Sequence, residues 1–401
     1  MTGTDASVAQ PVSAAGQRLA TIDILRGLII VIMVLDHVRD YTHISGFRIN
    51  PLDFQQTHTV LYLTRWVTHL CAPTFIFLAG VSAWLQNVRG KSGAALSGFL
   101  LTRGLWLIVL EVTVVGFGWS FALPIPLFLA ILWAIGWSMI ALSALVWLPR
   151  RAVLAIGIAI ITLHNLLGGI NADQLGPFSG LWHFLFQVNI FKFAGFDILL
   201  FYPVLPWVGV IAFGYGMGEV FLKPDRNRIL TLCGLGLCIG FVLLRLSNVY
   251  GDPRPWAVQT LPAHTLMDFF NVAKYPPSLL YTAATLGIVF LLTPGLDRLP
   301  ASVASVLRTF GSVPMMAYLG HLYIMHLVSM AAHLIAGQSL ATQFNPLAIA
   351  FFNPAAAPDD SFLPLWVTYL CWMITLCLLY PLCRYWSALK QRRKDWWLSY
   401  L

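Results

Sequence analysis

The stretch Thr21-Ile-Asp23-Ile-Leu-Arg26-Gly-Leu-Ile-Ile-Val-Ile-Met-Val-Leu-Asp36-His37-Val-Arg39-Asp40-Tyr41 decides the fold. Its centre, Gly27 to Leu35, is apolar throughout, and ionisable residues stand on either side. A run of about 20 mostly apolar residues spans the roughly 30 Å of a bilayer's hydrocarbon as a helix. In lipid every backbone amide must find its partner inside the segment, so helix is the only choice for such a run. At about 100° per residue, with Arg26 at zero, Asp23 falls near +60°, His37 near +20°, Asp40 near −40° and Asp36 near −80°. All five lie in one arc of about 140°. A lipid-facing helix does not carry such a stripe, so this face is expected to line a protein interior or a wet cavity.

The rest of the chain agrees. Of 401 residues, 58% are hydrophobic and only 10% charged, against roughly 25% charged in a soluble domain. That excludes disordered chains, nucleic-acid-binding arms and disulfide scaffolds. The expected fold class is all-α: a polytopic membrane helix bundle. Apolar runs predict about ten spans, near 22–41, 60–86, 98–119, 127–148, 152–168, 198–220, 229–249, 277–294, 312–335 and 363–384. With the N-terminus in the cytoplasm, alternation places 17 of the 24 Lys/Arg on inner segments and 7 on outer ones. Arg26, Arg89, Lys91 and Arg103 are among the inner ones. This is the bias that orients membrane proteins, and it predicts both termini cytoplasmic. The net charge of +8 then belongs to cytoplasmic loops and not to a nucleic-acid partner. The expected divisions are a disordered tail over 1–17, a membrane domain over 18–388 and a basic cytoplasmic tail over 389–401. The six cysteines form no C-x-x-C pair and read as small apolar residues. Long outer loops over 42–59, 169–197 and 250–276, with Trp182, Trp256, Phe184 and Phe191, could roof an outer cavity or pack at the headgroups.

Ionisable groups at membrane depth are costly, and each is a candidate for function. Arg26 and His37 lie about 16 Å apart along the helix axis, which suggests two sites joined by one channel. A guanidinium at the inner end suits phosphates. An imidazole toward the outer end suits proton transfer. Asp36 points away from His37, and Asp40, three residues on, is the better local orienter. The same stripe could instead be an ion-pair network that fixes helix packing. The second run adds Arg65 and His69, four apart on one face. Pro73 follows, and its ring displaces the carbonyl of residue 69 from the helix. Glu111 stands isolated in an apolar run and calls for a cation, Arg65 or Arg103. His164-Asn165 could bind a polar ligand or cap a helix. His321 is the second candidate functional histidine. No His, Cys or carboxylate spacing suits a metal.

Several stretches together resemble one family. They are Arg18-Leu-x-x-Ile22-Asp23-x-Leu25-Arg26-Gly27, Leu35-Asp36-His37-Val38-Arg39-Asp40-Tyr41, Thr64-Arg65-Trp66-x-x-His69-x-Cys71-Ala72-Pro73, Lys274-Tyr275-Pro276-Pro277-Ser278 and Tyr318-Leu-Gly320-His321. They resemble the heparan-alpha-glucosaminide N-acetyltransferase catalytic-domain family and, more widely, transmembrane acyltransferases. The resemblance implies transfer of an acetyl or acyl group from acetyl-CoA on the cytoplasmic side to an extracytoplasmic acceptor, a sugar amine or hydroxyl of a glycan. It implies a catalytic histidine at or after the end of the first helix: His37, His43 or His58. On this reading Asp36 and Asp40 surround the base, and Arg65, His69 or His321 stabilise the oxyanion. Arg26, Arg89, Lys91 and Arg103 hold the CoA phosphates. Direct transfer and an acyl-histidine intermediate both remain open. Members often associate as homodimers. The expected location is a plasma membrane, the inner membrane of a bacterium. A proton-coupled transporter or flippase would also use intramembrane His, Asp and Arg, although no pair of related halves is visible.

Overall fold

The computed structural model describes residues 14–358, 361–393 and 395–399 of the chain. In chain order the first helices are α1 (Ala14–Thr42), α2 (Thr59–Val67), α3 (Cys71–Val88), α4 (Ala94–Leu110) and α5 (Gly116–Ser120). There follow α6 (Ile131–Leu145), α7 (Arg150–Leu163), α8 (Ser179–Phe186), α9 (Val204–Met217), α10 (Arg226–Ser247) and α11 (Pro262–Phe270). The last are α12 (Leu279–Leu296), α13 (Ala301–Ser312), α14 (Pro314–Ile335), α15 (Pro346–Phe352) and α16 (Leu365–Arg392). Among the described residues, eight helical stretches are long and apolar enough to cross a membrane. Two further expected spans are helical but fall outside that set: α1, whose charges interrupt its apolar run, and α6, with 15 residues.

α6 starts later than its apolar run for a tertiary reason. Leu127–Leu129 forms strand β1, which pairs in parallel with β3 (Phe196–Leu200); β2 (Asn189–Phe193) pairs antiparallel to β3. The same sheet removes residues 198–200 from the start of the sixth predicted span. α1 begins at Ala14, so 14–17 extend the helix where a tail was expected; the rest of that tail, 1–13, lies outside the described residues. At the other end α16 runs through 389 to Arg392.

Burial sorts the helices into an inner and an outer set. About 72% of the central windows of α2–α3 and of α9 with its following turn is buried, against 22% in α10. α10 turns Leu232, Leu235, Ile239, Leu243 and Leu246 outward, where lipid receives them. The core wraps Trp207, Phe77 and Phe290. α1 runs through the bundle, packed on α3, α13, α14 and α16.

α13, unanticipated from hydropathy, is short and binds α1 by backbone approach. A Cβ on Gly27 would stand 1.8 Å from the Leu307 carbonyl oxygen, and one on Gly311 1.8 Å from that of Asp23. Small residues let helix backbones meet this closely. Gly27→Ala is therefore expected to push α13 off α1, at a cost of about 1–3 kcal/mol or more. A lowered melting temperature in detergent is the readout; an unchanged one would rule out the tight contact.

Candidate active site

Helix periodicity brings the stripe of α1 to two places. Toward the N-terminal end of α1, Asp23 and Arg26 line a cavity of about 530 Å³ between α1, α3, α4, α6 and α14. Arg89, Lys91, Arg103 and Lys390 line it too, so all four residues expected to hold phosphates share one chamber. Arg26 donates to Asp23 at 2.7 Å and to the Ser82 hydroxyl at 2.5 Å. Lys91 lies 3.9 Å over the Phe99 ring. Deeper walls are apolar, with Leu107, Ile135 and Met315, and include Tyr318. Lys390 belongs to the segment expected to be a basic cytoplasmic tail. The last turn of α16 brings it to the cavity, and its position just past the final apolar run was the available signal. Ser82 carried none, since a lone hydroxyl in an apolar helix usually bonds its own turn, as Ser82 also does with Leu78.

Toward the C-terminal end of α1, His37 meets His321. His37 Nδ1 lies 2.7 Å from His321 Nε2, and the rings stack with centroids 5.0 Å apart. His321 Nδ1 is 3.1 Å from the Ala317 carbonyl oxygen. A carbonyl only accepts, so His321 carries its proton on Nδ1 and its Nε2 is a bare lone pair. In the neutral pair His37 must then donate from Nδ1, which leaves His37 Nε2 unprotonated. His321 is wholly buried, while His37 is only part-buried. Trp119 holds the His37 ring edge-on at 4.8 Å. Tyr318 closes the gap between the two places: it lines the cavity and stands T-shaped to His321 at 5.3 Å.

Around this pair is a charged cluster. Arg39 lies 3.0 Å from Asp36 and 2.5 Å from Asp40. Asp40 therefore pairs with its neighbour Arg39 and does not orient His37; that role falls to His321, 284 residues away. Arg65 lies 3.9 Å from Asp36, donates to the Thr68 hydroxyl at 2.9 Å, and approaches His69 Nδ1 at 3.3 Å. The helix breaks at Thr68–Leu70, into a 3-10 turn, ahead of Pro73. The carbonyl of His69 accepts from the Tyr281 hydroxyl at 2.9 Å, which satisfies the group that the proline ring displaces. With its Nε2 turned to His37, neutral His321 has no spare N–H for an oxyanion, contrary to one expectation; Arg65 and His69 lie elsewhere in the cluster.

The other two histidines are placed differently. His43 caps a 3-10 turn, accepting from the Ser45 amide. Burial, reinforced by the charges of Arg39 and His58, pushes its imidazole down to about 4. His58 is exposed and caps α2 at the Leu61 amide. Among the described residues Glu111 has no cation partner. Its two oxygens accept from the amides of Ala130 and Leu132, each at 3.0 Å, and so cap the start of α6. An anion at a helix N-terminus is stabilised by exposed amides and the helix dipole, a partner that hydropathy does not reveal. His164 and Asn165 bind the backbone of Pro277 and Leu279, so they fasten α7 to α12. Among the described residues no group of three His, Cys, Asp or Glu is placed to hold a metal.

A multi-pass helical bundle in a lipid bilayer, with a basic chamber and a histidine pair, is the class of protein that fold and site define. The family model described as heparan-alpha-glucosaminide N-acetyltransferase, catalytic, matches residues 18–242. The chain belongs to that family, which is a family of membrane acetyltransferase type. No curated protein matches the chain.

Proposed function

We propose that the chain moves an acetyl or acyl group from cytoplasmic acyl-CoA to an amine or hydroxyl of an extracytoplasmic glycan or amino sugar. The proposal includes ten spans, both termini in the cytoplasm and residence in a plasma membrane. One observation carries the reading: the cavity with a basic mouth, whose deep wall at Tyr318 touches the His321–His37 pair. Arg26, Arg89, Lys91 and Arg103, joined by Lys390, surround the space that the donor's phosphates would take; guanidinium and ammonium groups suit phosphate. The apolar walls suit the pantetheine arm. The acceptor's nitrogen or oxygen attacks the thioester carbonyl while His37 Nε2 takes its proton. The C–S bond then breaks, and the CoA thiolate regains a proton from the imidazolium. His321 fixes the tautomer that makes Nε2 the base. In this scheme transfer is direct, with His37 acting as base and not as nucleophile.

The test is titration of CoA into the purified chain by calorimetry. Arg103→Ala and Arg89→Ala are each expected to weaken binding about tenfold, as the loss of a charge-assisted phosphate contact does. A folded wild-type chain that does not bind CoA sinks the reading. Substrate flux without acyl consumption would favour a transporter.

A further inference from the structure

When an acceptor attacks a thioester, negative charge gathers on the carbonyl oxygen. A hydrogen-bond donor fixed where that charge forms stabilises it. His321 has no spare N–H for the task, and neither Arg65 nor His69 lines the cavity.

Tyr318 meets the requirement of position. It lies three residues before His321 on α14, about 4.5 Å along the axis, and its ring stands T-shaped to His321 at 5.3 Å. His321 in turn holds His37 at 2.7 Å. The same Tyr318 side chain lines the cavity, where the wall around it is apolar, with Leu107, Leu132, Ile135 and Met315. One side chain thus borders both the donor's space and the pair that holds the base.

Its hydroxyl is also uncommitted. A buried tyrosine ordinarily gives its O–H to a protein acceptor. Tyr41 gives it to the Trp119 carbonyl, Tyr62 to that of Met267 and Tyr281 to that of His69. Tyr318 is only 7% exposed, yet among the described residues its O–H reaches no acceptor. The polar group of its neighbour Trp119 is an indole N–H, which only donates. Nor is the Tyr318 hydroxyl sealed in the core as the Trp119 nitrogen is; the open space that Tyr318 borders is the cavity.

We propose that the Tyr318 hydroxyl donates to the thioester's carbonyl oxygen, which makes Tyr318 a catalytic residue of the transfer; this rests on the transferase reading. As the acceptor's lone pair forms the new C–N or C–O bond, the carbonyl π pair moves onto oxygen. The Tyr318 O–H···O bond tightens there without losing its proton. The pair then returns, the C–S bond breaks, and the thiolate takes the proton that His37 holds. In an apolar wall, away from water, such a bond is stronger than in solution.

The test compares the full chain with Tyr318→Phe, which keeps the ring and removes only the hydroxyl. Transfer from saturating acetyl-CoA to glucosamine is expected to fall about 10²–10³-fold, as on loss of one oxyanion donor. CoA affinity by calorimetry is expected to stay within about twofold, since the lost bond strengthens only in the transition state. A second arm needs no acceptor: infrared difference spectra of bound acetyl-CoA labelled with carbon-13 at the thioester carbonyl. The carbonyl stretch is expected at lower frequency than in an alkane solvent, and at the alkane value in Tyr318→Phe. Undiminished transfer in Tyr318→Phe overturns the proposal and leaves the transferase reading standing. A lowered frequency that persists in Tyr318→Phe overturns it as well. So does a wild-type carbonyl at the alkane frequency, a reading that decides even where Tyr318→Phe does not fold. A lowered frequency that Tyr318→Phe restores, in a chain that transfers nothing, sinks the transferase reading and keeps the Tyr318 hydrogen bond.

Discussion

Replacing His37 by alanine is expected to lower acyl transfer by about 10²–10⁴-fold, the usual contribution of a positioned general base. Affinity for CoA should stay within about twofold, because the cavity residues that would meet the phosphates lie roughly 16 Å away along α1. Protonation matters here as much as position. His321 gives its only proton to the Ala317 carbonyl, so His37 must give its Nδ1 proton to His321. The nitrogen left over is the one with a free lone pair. Rates measured with acetyl-CoA and an amino-sugar acceptor check this, and undiminished activity in His37→Ala would remove His37 from the mechanism. His321→Asn should cost less. It should also displace the pH profile of the rate, because an amide restrains the His37 ring without matching an imidazole's proton affinity. A structural role alone would lower expression and leave that profile in place.

Arg245→Met is expected to cost about 3–5 kcal/mol, the range for removing one member of a buried charged network. The side chain is 2% exposed. Its guanidinium donates to the carbonyls of Phe269, Asp268 and Asn271 at 2.9, 3.0 and 3.0 Å, and to that of Arg254 at 2.5 Å. Asp252 lies 3.8 Å away. One residue at the end of α10 thus gathers the loop over 250–276, α11 included. Trp256 closes the arrangement by donating its indole N–H to the Arg245 carbonyl at 2.7 Å. Methionine fills the volume but leaves four carbonyls buried without donors. The expected result is a fall in melting temperature together with new protease cleavage between 250 and 276. An intact loop and an unchanged melting temperature would show that the network is dispensable. Because Asp252 also receives Ala273 and Ser278, the same variant should loosen the chain over 273–278 as well.

The outer loops illustrate how far hydropathy reaches. Trp256 and Trp182 read equally well as a roof or as headgroup packing. Trp256 proves to be part of the Arg245 knot. On α8, Trp182 stacks on Phe186 at 4.2 Å, and Phe184 packs against Trp137 at 5.1 Å. Aromatic content alone cannot separate these roles, since both use the same burial of a large ring.

What the sequence determined by itself was local or summed along the chain. Long apolar runs require helices in lipid, and 100° per residue puts Asp23 with Arg26, Asp36 with Arg39, and Arg65 with His69. Each of those pairs is in contact. The basic bias of inner segments likewise grouped Arg26, Arg89, Lys91 and Arg103, which meet in one cavity. The tertiary structure alone decided which helix faces which. It set His37 against His321, gave Glu111 the amides at the start of α6 instead of a cation, and laid α13 on Gly27. The reason is physical: in water an apolar stripe marks the buried side of a helix, but in lipid both sides are apolar, so the pattern that names the helices does not name their neighbours.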